Sequence, residues 1–176
     1  MTGRHHLPEG PVLIASQHES TWETLYFQAL LDRPVMYAKE EIFSLPLFGP
    51  LTRKLGHIPV SRSGSGDAMR DSFRRGANAI SRGRKLLIFP SGTRRIEDAA
   101  KLQSGVGVLY QLANVPLVPV LLNSGRCWPH GTWLKFPGTI EVTVLPPIPA
   151  GLPRAEVMER LRTELARTPD AAARDD

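Results

Sequence analysis

Short apolar runs alternate along this chain with segments whose apolar residues recur every three or four positions. The runs Val12–Ala15, Val35–Ala38, Ile58–Val60, Lys85–Phe89 and Leu117–Leu122 predict buried strands, and Thr139–Leu145 alternates as a further strand. Thr21–Leu31, Ser104–Ala113 and Pro153–Arg167 read as helices, the last with Val157, Leu161 and Leu165 on one stripe and Pro153 suited to a first turn. Asp67–Arg82 is amphipathic, with Met69, Phe73, Ala77 and Ile80 on one face and arginines on the others. Glu40–Leu55 is apolar but carries Pro46, Gly49 and Pro50, which predicts two short helices broken at the prolines. Pro116 and Pro119 suit an edge strand or the start of one. Strands alternating with helices predict a single α/β domain: a mixed, mostly parallel sheet flanked by helices on both faces. In such folds chemistry sits in loops at strand ends, here those after Ala15, Val60, Phe89 and Leu122.

Composition narrows the picture. With 176 residues, 41% of them hydrophobic, the chain suits one globular domain and needs no covalent or metal staple. The one cysteine, Cys127, excludes an intramolecular disulfide framework and reads as a buried structural thiol. No two histidines have metal-ligand spacing, so no metal is expected. His57 and His130 read as structural or solvated loop histidines, and His5 and His6 as part of a frayed terminus. No apolar stretch approaches the roughly 20 residues that cross a bilayer, and the polar Met1–Pro8 segment predicts no signal peptide. The net charge of +5 attracts nucleic acid, anionic lipid or phosphorylated small molecules, and charge alone does not choose among them.

Three loops carry candidate chemistry. After the first strand comes Ser16-Gln17-His18-Glu19-Ser20-Thr21-Trp22-Glu23. A helix start there turns Glu23 back toward one imidazole nitrogen of His18, which leaves the other free as a general base. The same residues also suit plain helix capping by His18 or Ser20. Gly56 to Arg62 places an arginine fork after a short strand, suited to a phosphate or simply to solvent. Phe89-Pro90-Ser91-Gly92-Thr93-Arg94-Arg95 follows a buried strand. Gly92 permits close backbone approach there, while Thr93 and the arginines offer donors to an anion. The glycine and lysine pattern of a Walker-type phosphate loop is missing.

In this order the segments resemble the motif blocks of the glycerolipid acyltransferases, best the bacterial 1-acyl-glycerol-3-phosphate acyltransferases. The family's His, four residues, Asp is here His18 to Glu23; its Gly and Arg six positions apart are Gly56 and Arg62. Its Phe-Pro-Glu-Gly-Thr-Arg is Phe89 to Arg94, and its Val-Pro block is Val115 to Pro119. Ala38-Lys39-Glu40-Glu41, Pro46-Leu47-Phe48-Gly49 and Leu122-Asn123-Ser124-Gly125 extend the likeness from about Leu7 to Leu161. Glu23 replaces Asp with the same charge. Ser91 replaces a Glu associated with the acceptor, which opens the identity of that acceptor. The family's N-terminal membrane helices have no counterpart ahead of Leu7, which is expected of a naturally short form or an incomplete reading frame.

The resemblance implies a catalytic domain over 1–167, followed by a disordered tail over 168–176. It implies acyl transfer from acyl-CoA or acyl carrier protein, as co-substrate and without a cofactor, to the 2-hydroxyl of lysophosphatidic acid, giving phosphatidic acid. A related lysophospholipid or lyso-aminolipid acceptor is the alternative, and a non-catalytic basic lipid-binding domain a further one. His18 and Glu23 are then catalytic, and Arg62, Ser91, Gly92, Thr93 and Arg94 bind the acceptor phosphate. Trp22, Phe43 and Phe48 are acyl-groove candidates by position. The expected partner is an anionic membrane surface rather than nucleic acid, with peripheral attachment at the cytoplasmic face. Arg70, Arg74, Arg75, Arg82, Arg84 and Lys85 supply the charge, and apolar residues between Phe43 and Leu51 supply shallow insertion.

Overall fold

The structure, a computed structural model, describes residues 1–61, 66–94 and 101–169. Among the described residues six strands form one sheet: β1 (Leu13–Ser16), β2 (Val35–Lys39), β3 (Ile58–Val60), β4 (Leu86–Ile88), β5 (Leu117–Leu122) and β6 (Val142–Val144). Their spatial order is β3-β2-β4-β1-β5-β6, parallel throughout except that β6 runs against β5. The helices are α1 (Trp22–Leu30), α2 (Glu40–Phe43), α3 (Phe48–Leu55), α4 (Gly66–Ser81), α5 (Gly105–Ala113) and α6 (Arg154–Leu165).

β1 explains why its run is apolar at every position. Leu13 and Ala15 pack into one core with Phe73 of α4, Leu109 of α5 and Leu161 of α6. Val12 and Ile14 pack into the other with Phe27 of α1. A central parallel strand covered on both faces has no solvent side to be polar on. The mixed, mostly parallel sheet between two helical layers is the architecture the sequence predicts.

Several local expectations shift. In Glu40–Leu55 the break falls at Pro46 only. Pro50 lies inside the first turn of α3, where a backbone N–H has no helical partner to lose. On α4 the buried positions are Ser72, Phe73, Gly76 and Ile80, so Gly76 rather than Ala77 faces the sheet. A Cβ on Gly76 would lie 2.2 Å from the Tyr37 hydroxyl, so the glycine sets how closely α4 approaches β2. Pro153 precedes α6 as its N-cap instead of occupying its first turn.

Pro119 is not on an edge: β5 is flanked by β1 and β6. On the β6 side, Leu145 N–H donates to the Pro119 carbonyl at 3.0 Å and Leu117 N–H donates to Ile148 at 2.9 Å. Pro146 and Pro147 interrupt the partner chain between those two bonds, so the missing proline N–H faces a gap in the ladder. The N-terminus is not frayed. Thr2 bridges Thr143 in parallel fashion, and His6 Nδ1 lies 3.0 Å from the Val144 carbonyl. Residues 170–176 of the expected tail lie outside the described residues.

Candidate active site

Because β4, β1 and β5 are adjacent and parallel, the loops leaving their carboxyl ends meet at one place. Gln17 fastens the first of them. Its side-chain oxygen accepts from Leu122 N–H at 2.9 Å, and its amide nitrogen donates to the Leu165 carbonyl at the end of α6 at 2.8 Å.

The next residues build a buried carboxylate cage. Oε1 of Glu23 accepts from His18 Nδ1–H at 2.9 Å and from the backbone N–H groups of Glu19 and Ser20, each at 2.7 Å. Oε2 accepts the hydroxyls of Ser20 at 2.8 Å and Ser124 at 2.7 Å. Glu23 is fully buried, and its five donors are what make a buried charge tolerable there. Ser20-Thr21-Trp22-Glu23 also works as a capping box: Ser20 Oγ accepts from Trp22 N–H at 2.9 Å while Glu23 reaches back to Ser20 N–H. Capping and a His–Glu pair, alternatives in the sequence, coexist because the two carboxylate oxygens divide the work.

Burial alone would raise the Glu23 pKa. The hydrogen bond from His18, the Ser20 N–H, the nearby imidazole charge and the Ser124 hydroxyl outweigh it and bring the value to about 2. Burial draws His18 below its ordinary 6.5, against the raising influence of Glu23 and with help from the charges of Arg94 and His130. Above that lowered value His18 is a neutral imidazole. Its Nδ1–H is committed to Glu23, and its Nε2 carries the lone pair. The ring lies nearly parallel to Phe89, centroids 4.0 Å apart.

Arg94 Nε–H donates to His18 Nε2 at 3.0 Å, so the guanidinium sits directly on the basic lone pair. The structure therefore joins His18, Glu23 and Arg94. Gly92 adopts φ +65, a left-handed conformation that suits glycine and lets the loop double back. Ser91 turns into its own loop: its hydroxyl donates to the Thr93 carbonyl at 2.9 Å. Arg62 lies outside the described residues. The three groove candidates have different surroundings. Phe43 lines a cleft of about 500 Å³ with Arg53, His57 and Arg75, Trp22 stacks on Tyr26 at 4.4 Å, and Phe48 is half exposed.

Sequence reasoning missed Ser124 and Glu19. Glu19 accepts from Gly125 N–H at 2.8 Å, which ties the β1 loop to the β5 loop. Burial raises the Glu19 pKa. The one signal for Ser124 was its place in the familiar Leu122 to Gly125 stretch. His130, read as structural or solvated, acts electrostatically on His18. His57 is buried: its Nδ1 accepts from Met36 N–H at 3.3 Å, and burial, with Arg84, lowers its pKa to about 4. Cys127 is a buried free thiol, as expected. Among the described residues no group of three or more His, Cys, Asp or Glu could hold a metal ion.

A family model described as Acyltransferase matches residues 1–123. A 1-acyl-sn-glycerol-3-phosphate acyltransferase of Pseudomonas aeruginosa is 34% identical over 145 residues, which cover 82% of this chain and 56% of that protein. A lyso-ornithine lipid O-acyltransferase of the same organism is 32% identical over 169 residues, covering 85% of this chain and 64% of that one. The chain thus spans between about half and two thirds of the length of these relatives. The crystal structure of the 1-acyl-sn-glycerophosphate acyltransferase of Thermotoga maritima superposes with a TM-score of 0.77 over 96% of this chain and 69% of that one. At 16% identity the likeness is one of fold.

Proposed function

The chain belongs to the Acyltransferase family, and from that premise we propose that it transfers an acyl group from acyl-CoA or acyl carrier protein to the 2-hydroxyl of 1-acyl-glycerol-3-phosphate. The observation that carries the reading is the buried Glu23–His18 pair, with its imidazole held in the Nδ1–H tautomer. His18 Nε2 takes the hydroxyl proton as the oxygen attacks the thioester carbonyl. Glu23 stabilises the imidazolium that forms. Collapse of the tetrahedral intermediate breaks the C–S bond, and the imidazolium returns its proton to the leaving thiolate. No acyl-enzyme is needed, because the bound hydroxyl attacks directly.

Arg94 has two roles in this scheme. It binds the acceptor phosphate, and in doing so it leaves Nε2 to the incoming hydroxyl. Thr93 and Gly92 belong to the same phosphate loop, and Arg62 is proposed to join them. Ser91 supports a second acceptor class. A serine is neutral, so it brings no negative charge where the family has a carboxylate, and its hydroxyl is turned into the loop. The likeness to a lyso-ornithine lipid acyltransferase favours that alternative as well. Competition between lysophosphatidate and lyso-ornithine lipid for one labelled acyl-CoA decides between them. A folded protein that turns over neither, with either donor, overturns the enzymatic reading and leaves a lipid-binding domain.

The acceptor's acyl chain resides in a bilayer, so we place the protein peripherally on an anionic membrane at the cytoplasmic face. No helix of the described residues is long and apolar enough to cross a membrane. Of the basic residues expected to hold it there, three are differently disposed. Arg84 donates to the carbonyls of Arg33 and Leu55, the latter at 3.1 Å. Arg82, Arg84 and Lys85 precede β4, and so lie at the amino end of the sheet, opposite His18.

A further inference from the structure

Arg82, Arg84 and Lys85 lie at the far end of the sheet, and the loop after β5 offers the mouth of the site a different surface toward lipid. We propose that the loop 127–138 is a preformed finger that inserts Trp133, Leu134 and Phe136 into the interfacial region of an anionic bilayer. The inference rests on the membrane reading above and adds the surface that makes contact.

Four observations carry it. First, position: the loop leaves the carboxyl end of β5 and returns antiparallel, with Leu122 opposite Val142, so it rises from the sheet end that holds His18. Second, exposure: Trp133 is 98% exposed, Leu134 66% and Phe136 52%. Isolated surface apolar residues are ordinary, but three in four consecutive positions form a contiguous patch. Third, charge: from Ser124 to Ile140 there is no acidic residue, while Arg126, His130 and Lys135 are exposed. A tryptophan and a phenylalanine beside a lysine is the composition that settles at headgroup depth.

The fourth observation is internal satisfaction of the backbone. Lys135 Nζ donates to the carbonyls of Thr132 at 3.2 Å and Leu134 at 3.3 Å, and lies 5.1 Å from the centre of the Trp128 ring. Leu134 N–H donates to the Thr132 hydroxyl at 3.1 Å, and Phe136 N–H donates to the Cys127 carbonyl at 2.9 Å. A loop in water can leave these groups to solvent. A loop entering the interface exchanges part of that solvent for headgroups, and the bonds already made keep it in one shape as it does so. Across the site, on the β2 side of β1, the exposed Leu47 and Phe48 rise from the same sheet end.

The test uses the full chain with vesicles of phosphatidylcholine, with and without phosphatidylglycerol. Trp22 and Trp128 are partly buried, so a fluorescence blue shift and quenching by brominated lipid report mainly on Trp133. Wild type is expected to co-sediment with the anionic vesicles and to show both signals. Trp133→Phe keeps the binding and loses both signals. The triple change Trp133→Ser, Leu134→Ser, Phe136→Ser lowers partitioning at least about tenfold, or about 1.4 kcal/mol. Leu112→Ser, on a half-exposed leucine at the far end of α5, leaves it unchanged. A wild type that binds no vesicle overturns the membrane reading itself. A triple variant that folds and binds like wild type overturns only the finger. The same follows if its one effect is to turn a dimer into a monomer, because the patch is then a protein interface.

Discussion

Replacing Glu23 by Gln isolates the charge of the cage from its shape. Glu19 N–H and Ser20 N–H both point at Oε1, so the amide carbonyl must sit there and the NH2 must take the Oε2 position. The hydroxyls of Ser20 and Ser124 that faced Oε2 can rotate and accept from it. His18 Nδ1–H keeps its acceptor, and the tautomer survives. What is lost is the anion facing the imidazolium. At about 4 Å between charge centres and an effective dielectric of about 20, the attraction is about 4 kcal/mol. Removing it costs about three powers of ten in turnover. The acid limb of kcat/KM should move to lower pH, because His18 without its anion protonates less readily. Stability should fall too. A carboxyl held at about 2 against an ordinary 4.5 contributes on the order of 3 kcal/mol at neutral pH, present above 4.5 and lost as pH falls toward 2. Glu23→Asp keeps the charge with a shorter reach and retains partial activity. Thiol release from acyl-CoA with lysophosphatidate, across pH, together with thermal unfolding, measures all of this. A folded Glu23→Gln protein with near wild-type turnover, or an acid limb displaced upward, would refute the reasoning.

Three further outcomes follow from the same geometry. His18→Ala lowers turnover at least about a hundredfold and costs about 1 kcal/mol of stability, because the ring also donates to Glu23 and stacks on Phe89; a folded variant with normal rates removes His18 from the chemistry. Arg94→Ala raises the acceptor KM more than the donor KM. It also moves the acid limb to higher pH, because a positive charge leaves Nε2; a donor-only effect assigns Arg94 to the wrong substrate. Ser124→Ala removes one of five donors to Glu23 and costs about 1 kcal/mol, and the acid-linked loss of stability, which still sets in near 4.5, is smaller and complete at a higher pH; an unchanged acid-unfolding curve argues against the cage.

Local chemistry was legible in the sequence. The doubly buried run Val12–Ala15 announced a central strand, because a strand covered on both faces can be apolar at every position. His18 and Glu23 could be paired on paper because five residues across a helix start are a local distance, set by backbone geometry alone. Long-range partners left no such trace. Ser124 reaches Glu23 across 101 residues, and Arg94 reaches His18 across 76. Both contacts exist only because β5 and β4 take their places on either side of β1, and that order is decided by crossover packing of helices, not by any one segment. The basic residues show the same limit from the other side. Counting Arg82, Arg84 and Lys85 predicted a charged surface, but the direction of β4 put them at the amino end of the sheet. Composition is a property of the chain, whereas which end of a sheet a charge occupies is a property of its topology.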